Sequence, residues 1–154
     1  RQEHVTVSPP YPSKVIPVAM GDHPRGLYIS YGTWMASVGR DADFEVGCVP
    51  SFSQCCCLGI GCCIPSLVGS GHSFLSGGGV VLKKALREGE SVVVEKTAIL
   101  AWDKTVQMDA QCAGGASVVC CGGMGCCNMK LTGPGNIYIQ SMSGRKWAMA
   151  YSVS

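Results

Sequence analysis

Cys-Cys-x-Gly-x-Gly-Cys-Cys is spelled twice in this chain, at 56–63 and again at 120–127, 64 positions further on. The register extends beyond the cysteines. The same gapless offset lays Thr33 on Thr97, Cys48 on Cys112, Ser53 on Ser117, Leu67 on Leu131, Gly69 on Gly133 and Gly71 on Gly135. A repeat of this length is a supersecondary unit that buries its apolar face against its twin, so the chain reads as a tandem duplication sharing one core. With 154 residues there is room for one domain. We divide it into a Pro-rich arm over 1–14, one β domain over 15–154 holding repeats at about 15–78 and 79–142, and a C-terminal strand.

The elements inside the repeat read as strands. Val92-Val93-Val94, Ala98 to Trp102, Val118-Val119 and Ile137-Tyr138-Ile139 are short β-branched or aromatic runs. Turn signals separate them at Arg87-Glu88-Gly89-Glu90, Gly114-Gly115, Gly122-Gly123 and Gly133-Pro134-Gly135. Leu82 to Glu90 has some helical appeal, but its counterpart Val18 to Gly26 contains Pro24 and two Gly, so both read as β-hairpins with a polar turn. Turns recurring every ten or so residues indicate an all-β sandwich or barrel. The arm, with three Pro in its first 14 residues, favours an extended conformation, either mobile or laid on a neighbouring subunit.

Charge bounds the function. Only 14% of residues are charged, against the quarter typical of soluble domains, so much of the exterior reads as covered by other subunits. The net charge of +2 is too small for a dedicated nucleic-acid binder. The longest uncharged stretch, Val46 to Leu82, is broken by Pro50, Pro65 and many Gly, which excludes a transmembrane helix there. The sequence opens on Arg1 rather than Met, as a processed chain or a chosen boundary would, with no signal or transit segment in view.

The second repeat carries a resemblance. Gly89-Glu90, Val92-Val93-Val94, Ala98 to Asp103, Gly122-Gly123-Met124-Gly125 and Leu131-Thr132-Gly133-Pro134-Gly135-Asn136-Ile137-Tyr138-Ile139-Gln140-Ser141 resemble the altered-inheritance-of-mitochondria protein 24 family. The likeness covers 77–141 well and 15–76 more faintly, through the duplication. It implies a fold similar to the tryptophan RNA-binding attenuator protein (TRAP-like), with β repeats about a pseudo-symmetry axis. Members often carry three repeats where this chain has two. The family implies no catalytic residues.

Eleven cysteines, about 7% of the chain, are many for a reducing compartment, which tilts localisation towards the extracellular side or a surface, with cytoplasm as the alternative. On flat strands Cys56, Cys57, Cys62 and Cys63 divide between two faces, as do Cys120, Cys121, Cys126 and Cys127, which disfavours a four-thiolate zinc site within one hairpin. Three readings stand. Disulfides come first: a six-residue loop closed within a hairpin gains roughly 2 kcal/mol, and a link such as Cys48 to Cys112 about 4. Second is zinc or copper held between the repeats by Cys57, Cys62, Cys121 and Cys126. Third is cysteine as a small buried hydrophobe.

Other signals are thinner. Gly59, Gly61, Gly69, Gly71 and their counterparts Gly123, Gly125, Gly133 and Gly135 read as turn positions. His4, His23 and His72 are scattered, leaving Cys63 with His72 as a weak nucleophile pair. Asp41, Asp43 and Glu45 alternate along a strand as a solvated edge or a calcium rim. The expectation is a non-enzymatic structural protein without a cofactor, whose partner is itself, in a homo-oligomeric ring or filament. The rivals are a Cys-rich metal- or small-ligand-binding module and, by fold analogy alone, an RNA binder.

Overall fold

The computed structural model describes residues 4–39, 41–48, 63–112 and 127–152. Twelve strands run in chain order: β1 Lys14–Ala19, β2 Leu27–Ile29, β3 Trp34–Val38, β4 Asp43–Cys48, β5 Cys63–Val68, β6 His72–Gly77, β7 Val81–Leu86, β8 Ser91–Val94, β9 Ile99–Asp103, β10 Gln107–Cys112, β11 Cys127–Thr132 and β12 Gly135–Gln140. One α-helix follows, α1 at Gly144–Tyr151. The described residues are thus mostly β, in antiparallel sheets.

A six-stranded sheet, β4-β5-β2-β9-β12-β7, joins the two halves of the chain where β2 meets β9. Two three-stranded sheets accompany it, β1-β6-β3 and β10-β11-β8. The order β1-β6-β3 recurs six strands later as β7-β12-β9, and β4-β5-β2 recurs as β10-β11-β8.

Register refines the spacing. Leu75 of β6 faces Ile16 and Trp34, whereas Ile139 of β12 faces Leu82 and Ile99. The centre of this triplet moves by 64 residues, but its neighbours move by 66 and 65. The gapless offset therefore drifts by one or two positions over β1 to β3. Both β3 and β9 bulge at the matching place, skipping Met35 and Leu100.

Strand β9 is buried along its whole length because each face of the central sheet is covered. Leu27, Ile29, Leu100 and Ala101 meet Val18 and Leu75 of the first outer sheet in one core. Ile99, Trp102 and Ile137 meet Met129 and Leu131 of the other outer sheet in a second. Alternation sends the side chain of Tyr28 to the second core and its neighbours Leu27 and Ile29 to the first.

Two expectations are corrected. The segments at 18–26 and 82–90 are corners rather than hairpins. Strands β7 and β8 flank the Arg87–Glu90 turn but pair with β12 and β11, in different sheets. Leu86 on one side of the turn and Val92 and Val94 on the other pack into the same core from facing sheets, so the chain crosses from one layer to the other around that core instead of doubling back. The C-terminal strand is instead α1. Ser143 caps it, its Oγ accepting from the Lys146 N–H at 3.2 Å, and Arg, Lys, Ala and Met are good helix formers.

Of the turn glycines, Gly69 and Gly71 have φ of +96° and +105°. A Cβ at Gly69 would fall 1.6 Å from the Asp41 carbonyl oxygen, and one at Gly71 2.2 Å from that of Val38. Both are needed for close backbone approach as well as for conformation. Gly135 has positive φ and Gly133 lies against the Arg87 carbonyl, while Gly59, Gly61, Gly123 and Gly125 lie outside the described residues.

Candidate functional site

His23, which the sequence leaves isolated, is the centre of a buried polar cluster. It follows a single-turn 3-10 helix, Met20–Asp22, and its backbone is held by Met20 O at 3.0 Å. Its Nδ1 bonds Asp103 Oδ1 at the end of β9, and its Nε2 lies 3.1 Å from the Tyr138 hydroxyl on β12. The other Asp103 oxygen accepts from the Asn136 backbone N–H at 2.6 Å and side-chain amide at 3.0 Å. With Nδ1–H donating to Asp103, Nε2 accepts the tyrosine proton, and all these groups are satisfied.

Burial pushes the Asp103 carboxyl up, but the hydrogen bonds from His23 and from the Asn136 N–H and side-chain amide outweigh it and hold the pKa below its ordinary value. Burial pushes the Tyr138 hydroxyl up, opposed in part by Lys83, whose ammonium sits 5.5 Å from the ring centre. The histidine side chain of this triad is wholly shielded from solvent, and none of the three residues lines the cleft between the arm and α1.

A cleft of about 530 Å³ opens elsewhere, between the arm, the β2–β3 loop and α1. Tyr11, Tyr31 and Trp147 form aromatic walls, with Ser30, Thr33 and Thr97 between them. Tyr11 lies 6.4 Å from Trp147, so the end of the arm is seated on its own molecule. Lys96 and Arg145 are the charged residues of the lining, and neither meets a carboxylate among the described residues. Such a cleft suits an apolar body carrying an anionic group.

The cysteines divide. Register places Cys63 opposite Cys48, and Cys127 opposite Cys112, rather than Cys48 opposite Cys112. Cys48 and Cys112 end strands of different sheets, because each pairs within its own half. Cys56, Cys57, Cys62, Cys120, Cys121 and Cys126 lie outside the described residues, so the four proposed metal ligands do too. Among the described residues no group of three His, Cys, Asp or Glu is placed to hold a metal ion.

The Cys63–His72 pairing is not made by the sheets, since β5 pairs with β4 and β2 while β6 pairs with β1 and β3. Asp43 and Glu45 lie on the β4 edge as a solvated face, Glu45 reaching Lys104 at 3.2 Å. Among the described residues no helix is long and apolar enough to cross a membrane.

The family profile described as "Mitochondrial biogenesis AIM24" matches residues 1–142. The chain belongs to that family. An AIM24-type assignment agrees with the resemblance carried by the second repeat. Among solved structures the chain is similar to a Streptococcus pyogenes protein, determined by X-ray crystallography in a structural-genomics programme, with a TM-score of 0.70 and 20% identity. The match covers 94% of this chain and 62% of that one, so the AIM24-family chain described here spans less than two thirds of its structural neighbour. That likeness concerns the fold alone. No curated protein matches the chain.

Proposed function

We propose that this AIM24-family chain is a non-enzymatic, self-assembling structural module, a subunit of a homo-oligomeric ring or filament. The observation that carries the reading is an exposed aromatic pair: Trp34 of β3 and Phe44 of β4 lie tilted against each other, ring centres 5.4 Å apart, while 43% and 42% exposed. Val38 and Val46 on the same two strands are 65% and 59% exposed. Apolar surface of this kind on a chain with few charges is a contact waiting for a partner. We read the recurring strand order as a tandem duplication of a TRAP-like β-sandwich repeat, in which each repeat offers its neighbour the same edges. The absence of a catalytic role is supported by the way the His23–Asp103–Tyr138 cluster is shielded and internally satisfied. Light scattering on the purified chain from about 1 to 100 μM should give masses that rise above 16.1 kDa. A constant 16.1 kDa would overturn the reading.

The cleft favours a second reading, a small-ligand module for an aromatic anion. Phenyl phosphate should quench Trp147 fluorescence, and Arg145→Ala should weaken that binding at least about tenfold. Equal binding of phenol, or no effect of the substitution, would count against it. Zinc or copper bound by Cys57, Cys62, Cys121 and Cys126 stays a proposal that an elemental assay tests.

A further inference from the structure

We infer that the chain joins a second copy of itself edge to edge, β3 of one copy adding to β8 of the other in the register that β2 and β9 already use inside one molecule. The inference rests on the self-assembly reading and names its contact. The β2·β9 joint is where one half of the chain meets the next. By the recurring strand order, the counterpart of β9 in the first half is β3 and that of β2 in the second half is β8. Among the described residues each ends its sheet without a further neighbour: β3 closes the order β1-β6-β3, and β8 the order β10-β11-β8. One chain thus presents both halves of a joint that it has already made once, and the contact continues that established interface.

Charge singles out the same two strands. An open edge is a template for another strand unless charge, proline or a bulge protects it. Of the six edge strands among the described residues, β1 carries Lys14 and Pro17, β4 Asp43 and Glu45, β7 Lys83 and Lys84, and β10 Asp109. Strand β3 is Trp-Met-Ala-Ser-Val and β8 is Ser-Val-Val-Val, with no charge between them. The bulge in β3 falls at its beginning, leaving Ala36 to Val38 regular. The edge charges of β4 and β7 are also answered within the chain, Glu45 by Lys104, Lys83 by Asp22 and Lys84 by Glu90.

The register follows from shared partners. Inside the molecule Leu27 faces Asp103, Tyr28 faces Trp102 and Ile29 faces Ala101. Leu27 also faces Leu67, whose counterpart Leu131 faces Val92, so Val92 to Val94 stand for Leu27 to Ile29. Ala101 faces Tyr138, whose counterpart Phe74 faces Ala36, so Ala36 to Val38 stand for Ala101 to Asp103. Between copies Val92 then faces Val38, Val93 faces Ser37 and Val94 faces Ala36. The flanking bonds Lys104 N–H to Gly26 O at 3.1 Å and Ser30 N–H to Leu100 O at 2.9 Å become Gly39 to Ser91 and Glu95 to Met35. Val38 and Val93, 65% and 46% exposed in the single copy, are covered in this arrangement. Each copy offers one edge of each kind, so the contact is heterologous and propagates until the rotation closes a ring.

The test is sedimentation equilibrium on the full chain and four variants, with a circular dichroism melt to establish that each is folded. Val93→Lys and Ser37→Glu should each raise the dissociation constant at least about tenfold. Val93→Lys combined with Ser37→Glu should return it to within about threefold of the parent, because every joint then sets a lysine opposite a glutamate. Leu82→Lys on the β7 edge, where Leu82 is 61% exposed, should leave it within the same margin. If Ser37→Glu melts early through loss of its bond to Ser73, Val93→Lys alone still decides. A parent that assembles and is weakened by Leu82→Lys but not by Val93→Lys overturns the joint and leaves self-assembly standing. A parent that stays at 16.1 kDa overturns both.

Discussion

Asp103 is held between opposing demands: burial favours its neutral form, and three hydrogen bonds favour its charge. The bonds win, so the carboxylate fastens the end of β9 to the His23 corner and to the start of β12. Asp103→Ala strands a buried histidine N–H and two half-buried asparagine donors and should cost about 3 kcal/mol in urea denaturation; a loss under about 0.5 would refute that role. The sign of the pH dependence follows. A carboxyl whose folded pKa is depressed contributes stability fully present above its unfolded value, near 4, and lost as pH falls through the lower folded value. For Tyr138, raised when folded, the contribution is present below about 10 and lost above it. None of this cluster was legible in the sequence. His23 and Asp103 are 80 positions apart, no local spacing relates them, and the second half has Arg87 where the offset puts a histidine.

At the scale of elements, β-branched runs and glycine turns placed strands where the chain forms them, as at Val92 to Val94 and Ile137 to Ile139. Local pattern did not say which strand each would pair with. The Arg87–Glu90 turn has the composition of a hairpin, and its Glu90 N–H closes on Arg87 O at 3.0 Å, yet its flanking strands part company. Residues 144–151 carry a serine cap and helix formers, signals that a strand-dominated reading of the chain passed over. Edge strands make the sharper prediction. Because β3 and β8 are uncharged, association should change by no more than about threefold between about 0.05 and 1 M salt. A fall beyond about tenfold would point instead to the acidic β4 meeting the basic β7.

For the whole molecule, the sequence by itself determined that the chain is β-rich, that it carries one pattern twice, and that it belongs with the AIM24 proteins. Composition, strand propensity and self-similarity are properties of residues in order, and they survive without coordinates. Only the tertiary structure decided that β2 meets β9, that the offset is 64 for some strands and 65 or 66 for others, and that His23 reaches Asp103 and Tyr138. Strand pairing brings together groups far apart along the chain, and its register is fixed by which side chains share a core rather than by their distance in sequence. The two uncharged edges lie on the same boundary: their composition is written in the sequence, but that they are edges is known only once every other strand has found its neighbours.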